Sequence, residues 1–154
     1  MMNQQLKGSD AGGDQVDQYN LQYDRLVFLA EAYGHVGKFD LAFSSLDQWL
    51  QLHGHHPIAG KEKVYYRIRG ELSARAGVLN EAEKSLRRAI ELSRRNGARM
   101  EQLRATTSLA RLLRDTNRRN EARSMLAEVY NWFTEGFDTA DLKDAKALLD
   151  ELQN

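Results

Sequence analysis

The chain has 154 residues, enough for a real hydrophobic core, with 42% apolar and 29% charged residues. It has no cysteine, which excludes disulfides and thiolate metal sites, and a single proline, Pro57, so long helices are the natural expectation. The formal net charge is zero but unevenly spread: residues 1–60 carry −4, residues 61–119 carry +9 and residues 120–154 carry −5. Such a basic middle steers an acidic partner or serves as solvated faces paired within the fold.

The opening MMNQQLKGSD lacks the apolar core of a signal peptide, and no run approaches the ~18 apolar residues of a membrane span. A cytoplasmic protein without a membrane partner is expected. Residues 1–15, rich in Gly, Ser, Asp and Gln, read as a disordered lead. Residues 16–154 read as one helical domain. From about Val16, Tyr19, Tyr23, Leu26, Ala30 and Tyr33 fall on one helical stripe, which Gly34 and Gly37 end. Asp40 is the expected cap of a second helix carrying Ala42, Leu46 and Trp49. His53-Gly54-His55-His56-Pro57 is a connection. The third helix carries Val64, Tyr65, Ile68 and Leu72 up to Gly77, and Asn80 is the expected cap of a fourth with Ala82, Leu86, Ala89 and Ile90. Asn96-Gly97 stops it. A fifth spans Arg99 to Asp115. After Thr116-Asn117 a sixth carries Ala122, Leu126, Val129 and Tyr130. A loop around Gly136 leads to a last helix, capped by Asp138 or Thr139 and striped by Leu142, Ala145, Leu148, Leu149 and Leu152.

Three series step together by forty residues: Ala30, Gly70 and Ala110 in the first helices; Ala42, Ala82 and Ala122 in the second; and Leu46, Leu86 and Leu126 one turn later. The turns at Gly37, Gly77 and Asn117 keep the same step. Small residues at a crossing let two helices approach to ~8–10 Å. One such hairpin cannot bury its stripe and needs neighbours.

This small–aromatic–small hairpin resembles the tetratricopeptide repeat, whose usual unit is ~34 residues. Tyr33 stands at the aromatic place, whereas Ser73 and Leu113 replace it later. The resemblance implies an all-α fold: three hairpins and a capping helix in a right-handed superhelix. The segments Tyr66-Arg67-Ile68-Arg69-Gly70-Glu71-Leu72, Ser108-Leu109-Ala110-Arg111-Leu112 and Trp132-Phe133-Thr134-Glu135-Gly136-Phe137 resemble more closely the C-terminal tetratricopeptide region of bacterial ATPase-linked class III adenylate/guanylate cyclase-like regulatory proteins. That likeness implies a regulatory scaffold of a signalling system. It brings no catalysis, because no GxxxxGK[ST] phosphate loop and no cyclase-type aspartate pair occur.

In stacked hairpins the first helices line the concave face, where Asp24, Val27, Glu31, Arg67, Glu71, Arg104, Thr107, Arg111 and Arg114 would lie. Arginines grip carboxylates bidentately, so an acidic peptide is the expected ligand. In the alternative they pair with Glu71, Glu101 and the acidic last helix. Trp132, Phe133 and Phe137 are expected to plug the end of the last hairpin and seat the capping helix; exposed, they would form a partner hot spot. The doublets Arg87-Arg88, Arg94-Arg95 and Arg118-Arg119 lack interleaved aromatics, which disfavours nucleic acid. His53, His55 and His56 on a connector make a weak metal set, and no cofactor motif or catalytic constellation is present. The expected role is non-catalytic protein–protein interaction. A self-associating module, with edge hairpins stacking into a dimer, is the alternative.

Overall fold

A computed structural model describes residues 10–154. All regular structure among them is helical: α1 Asp10–His35, α2 Phe39–His55, α3 Glu62–Arg75, α4 Leu79–Arg95, α5 Arg99–Asp115, α6 Arg119–Tyr130 and α7 Ala140–Gln153. The first nine residues of the expected lead lie outside the described ones. α1 begins six residues before Val16, in a stretch whose side chains from Gly12 to Gln18 are exposed.

The forty-residue step recurs in the helix bounds. First helices end at His35, Arg75 and Asp115, and second helices begin at Phe39, Leu79 and Arg119. The turns between them have one design. Gly37 and Gly77 sit at φ 76° and 81°, and Asn117 takes the same left-handed conformation at 63°. The next amide donates back across the helix end, Lys38 to Tyr33 at 2.9 Å, Val78 to Ser73 at 2.8 Å and Arg118 to Leu113 at 2.7 Å. The chain re-enters a helix at once. Lys38 and Val78 therefore occupy the N-cap positions expected for Asp40 and Asn80, without side-chain caps. Asp40 and Glu81 instead lie in first turns, where the helix dipole favours negative charge. Thr139 is the N-cap residue of α7, but its hydroxyl donates to the Gly136 carbonyl at 2.7 Å.

The chain divides into two compact units, Met1–Ala59 and Gly60–Asn154. In the first unit α1 packs on α2 through buried Tyr23, Leu26, Ala30, Ala42, Leu46 and Trp49. The Tyr23 and Trp49 rings tilt together at 4.9 Å, and the Tyr23 hydroxyl donates to the His56 carbonyl at 2.7 Å. In the second unit α3 pairs with α4, α5 packs on α4 and α6, and α7 closes against α5 and α6. Its core runs from Ala82 and Leu86 through Leu103, Leu109 and Leu126 to Leu142, Leu149 and Leu152.

The tightest approach is at Gly70. A Cβ there would lie 2.6 Å from Leu86 Cγ and 3.1 Å from the Ala82 carbonyl oxygen. Ala110 and Ala122, at the same register in the next hairpin, are buried. No helix among the described residues is long and apolar enough to cross a membrane.

Candidate functional site

The charged face of the second unit is an ion-pair ladder across α3, α5 and α7. Arg67 of α3 pairs with Glu71 at 3.1 Å and with buried Glu101 at the start of α5. Ser108 of α5 donates to Glu71 at 2.7 Å. Arg104 reaches Asp141 of α7 at 2.9 Å and Glu101 at 3.4 Å. Arg111 pairs with Asp144, and Arg114 with Glu151 at 3.0 Å. The spacing explains this: 104, 111 and 114 share one side of α5, and 141, 144 and 151 share one side of α7. The α7 stripe Leu142, Ala145, Leu148, Leu149 and Leu152 is buried at the same time, which holds the acidic row against the arginines.

Burial alone would lower the Arg67 pKa. The Glu71 and Glu101 charges and their hydrogen bonds outweigh that and hold it above its ordinary value. Arg114 is raised by its hydrogen bond to Asp115 and, beyond that, by Glu151.

The structure thus brings together Arg67, Glu71, Arg104, Arg111 and Arg114, but with each other and with α7. Thr107 does not share that surface. It is 4% exposed and donates to the Leu103 carbonyl at 2.8 Å, so it belongs to the packing side of α5.

Beside the ladder lies a groove of about 410 Å³ between α3, α4 and α5. Ala74, Leu79, Leu86 and Leu112 make it apolar, and Arg75, Ser108, Arg111 and Asp115 line its polar part. Leu79 and its neighbour Val78 are exposed at its end. Asp144 engages one Arg111 amino group, and a guanidinium carries five N–H donors, so Arg111 retains donors for a second acceptor. The sequence reading missed this groove. Its signal is the apolar Val78-Leu79 directly after the Gly77 turn, where the other two hairpins carry Lys38-Phe39 and Arg118-Arg119.

The aromatic exit departs from expectation. Phe133 packs on the core, but Trp132 and Phe137 are 37% and 46% exposed, so Trp132 is not a buried plug. The loop turns at Gly136, φ 76°, and a Cβ there would meet Leu142 and Thr139 at 3.8 Å. The loop backbone at Gly136 thus lies against the start of α7. Phe137 leans on Tyr130 with ring centroids 5.9 Å apart.

The arginine doublets are largely spent on neighbours. Arg87 and Arg118 share Glu83 and Glu121 in a four-membered cluster, and Arg88 and Arg95 share Glu91. Glu83 is held below the usual carboxylate range by Arg118 and then Arg87. His53 and His55, expected on a connector, lie in the last turn of α2; His53 stacks on Trp49 at 5.0 Å, and His56, just past the helix, stacks on Tyr19 at 4.0 Å. Among the described residues no three His, Asp or Glu side chains gather as a metal site. Neither protein-family models nor curated proteins match this chain.

Proposed function

We propose that this chain is a non-catalytic protein–protein interaction scaffold of the tetratricopeptide type. By its resemblance to cyclase- and ATPase-linked regions, it is a regulatory module of a bacterial nucleotide-signalling or transcription-regulating system in the cytoplasm. The observation that carries the reading is the apolar groove between α3, α4 and α5 with Arg111 at its edge. A partner segment places an apolar side chain over Leu79 and Leu112 and a carboxylate on the open donors of Arg111. The α7 row of Asp141, Asp144 and Glu151 is an internal example of what these arginines hold: carboxylates at helical spacing.

The test is a salt-titrated pull-down of partners from the source cell. It compares the intact chain with Arg111→Ala and with Leu79→Asp, both at accessible positions. Loss of the same partner from both variants, with earlier elution at high salt, supports the groove. Retention by both contradicts it.

A further inference from the structure

From Glu71 onward every side-chain carboxylate sits in an ion pair except three, Glu128, Glu135 and Asp138. These three flank the exposed Trp132 and Phe137, and residues 124–142 contain no lysine or arginine. The α6–α7 loop is therefore an aromatic knob with an uncompensated negative rim.

The same unit carries a surface of opposite character. A groove of about 590 Å³ between α3 and α4 is lined by Tyr66, Arg69, Lys84, Arg87 and Arg88 together with Glu81 and Glu91; its three arginines are already ion-paired, which leaves Lys84 as its unmatched cation. Lys84 is exposed and has no ion pair. Tyr66 offers an aromatic face for edge or offset stacking, and the guanidinium groups can lie over an indole ring.

We propose that the α6–α7 loop of one copy docks, through Trp132 and Phe137, into the Tyr66–Lys84–Arg88 groove of a second copy, head to tail. The occupant is a second copy because this chain itself carries both the unmatched carboxylates and a groove with the unmatched Lys84 to receive them. The two patches are different surfaces, so the contact is heterologous and extends beyond a two-fold dimer or closes into a ring. It uses neither Arg111 nor Leu79, so it stands or falls separately from the function proposed above.

The experiment is sedimentation velocity on the full chain from roughly micromolar to millimolar concentration, in low salt and again at about 1 M salt, where the Debye length is ~3 Å. The expected result is a weight-average mass that rises with concentration past that of a dimer, or plateaus at a ring, and falls with salt. Trp132→Ala shifts the midpoint at least tenfold upward, whereas Arg111→Ala leaves it in place. Two charge-reversed variants supply a second route: Lys84→Glu with Arg88→Glu, and Glu135→Lys with Asp138→Lys. Each alone is monomeric with an unchanged circular dichroism spectrum, and an equimolar mixture associates again. A protein monomeric at every concentration overturns the proposal. So does association indifferent to Trp132→Ala, or a mixture of the two reversed variants that stays monomeric.

Discussion

Gly70 is the position where the packing argument is most exposed to refutation. A helix interior disfavours glycine by about 0.8–1 kcal/mol relative to alanine, so Gly70→Ala should stabilise α3 if nothing stood in the way. Something does. The added methyl would sit 2.6 and 2.9 Å from the Leu86 Cγ and Cδ2 and 3.1 Å from a backbone oxygen of α4. Leu86 is fully buried, so it must shift to admit the methyl. Overpacking of this kind costs ~1–3 kcal/mol. Set against the propensity gain, the net runs from near zero to a loss of about 2 kcal/mol. In a unit of this size that lowers the melting temperature by up to about 15 °C. Urea unfolding followed by circular dichroism should show a lower midpoint with an unchanged slope. A double-mutant cycle isolates the cause. Leu86→Ala alone costs ~2–5 kcal/mol, but in the Gly70→Ala background it should cost at least about 1 kcal/mol less, because the new methyl enters the space Leu86 leaves. A Gly70→Ala that stabilises by the full propensity gain, or strict additivity in the cycle, would refute the close crossing.

Exposure of the two tryptophans differs enough to read directly: acrylamide should quench Trp132 and leave Trp49, 1% exposed, largely untouched, so Trp132→Phe removes the quenchable fraction. Equal quenching of both would contradict the surface position of the loop. Leu149→Ala should speed amide exchange across α7 far more than Arg104→Ala with Arg114→Ala, since a buried leucine outweighs exposed ion pairs by several fold in free energy; the reverse order would mean that charge rather than apolar burial holds the helix. A depressed carboxyl stabilises the fold above its unfolded pKa and loses that contribution as pH falls through its folded value. The Glu83 and Glu121 pairs with Arg87 and Arg118 should therefore weaken below about pH 4, and Glu83→Gln should flatten that acid limb of the stability curve. An unchanged limb would count against the cluster.

The helices were legible in the sequence because their signals are local. The stripes from Tyr23 to Ala30 and from Leu142 to Leu152 are sustained, and Gly37, Gly77 and Asn117 mark the turns by a conformation few other residues adopt. The caps at Asp40 and Asn80 were misplaced for an equally local reason. A glycine-closed turn of this type lets the next helix begin before any polar side chain is reached, so residue type alone points two residues too far along. Thr107 and Trp132 failed differently. A rotation of a few tens of degrees about α5 decides whether position 107 faces a neighbour or solvent, and a loop kinked at Gly136 decides where an indole goes. Neither angle is encoded in a single-helix periodicity.

The arginine row carries the more general point. Apolar residues at a forty-residue step determine how each hairpin closes, but they are nearly the same in every hairpin and do not say which helix lies beside which. The charges do. Arg67 and Glu71 meet Glu101 and Ser108, and Arg104, Arg111 and Arg114 meet Asp141, Asp144 and Glu151, so α3 is complementary to α5 and α5 to α7. Read along the chain, the row looks like a surface waiting for an acidic ligand; in three dimensions most of that affinity orders the molecule's own helices. Binding capacity toward other molecules then resides in what the internal pairing leaves over. In a unit where nearly every carboxylate is matched, three unmatched ones around two exposed aromatics carry more information about a partner than the whole density of arginine does.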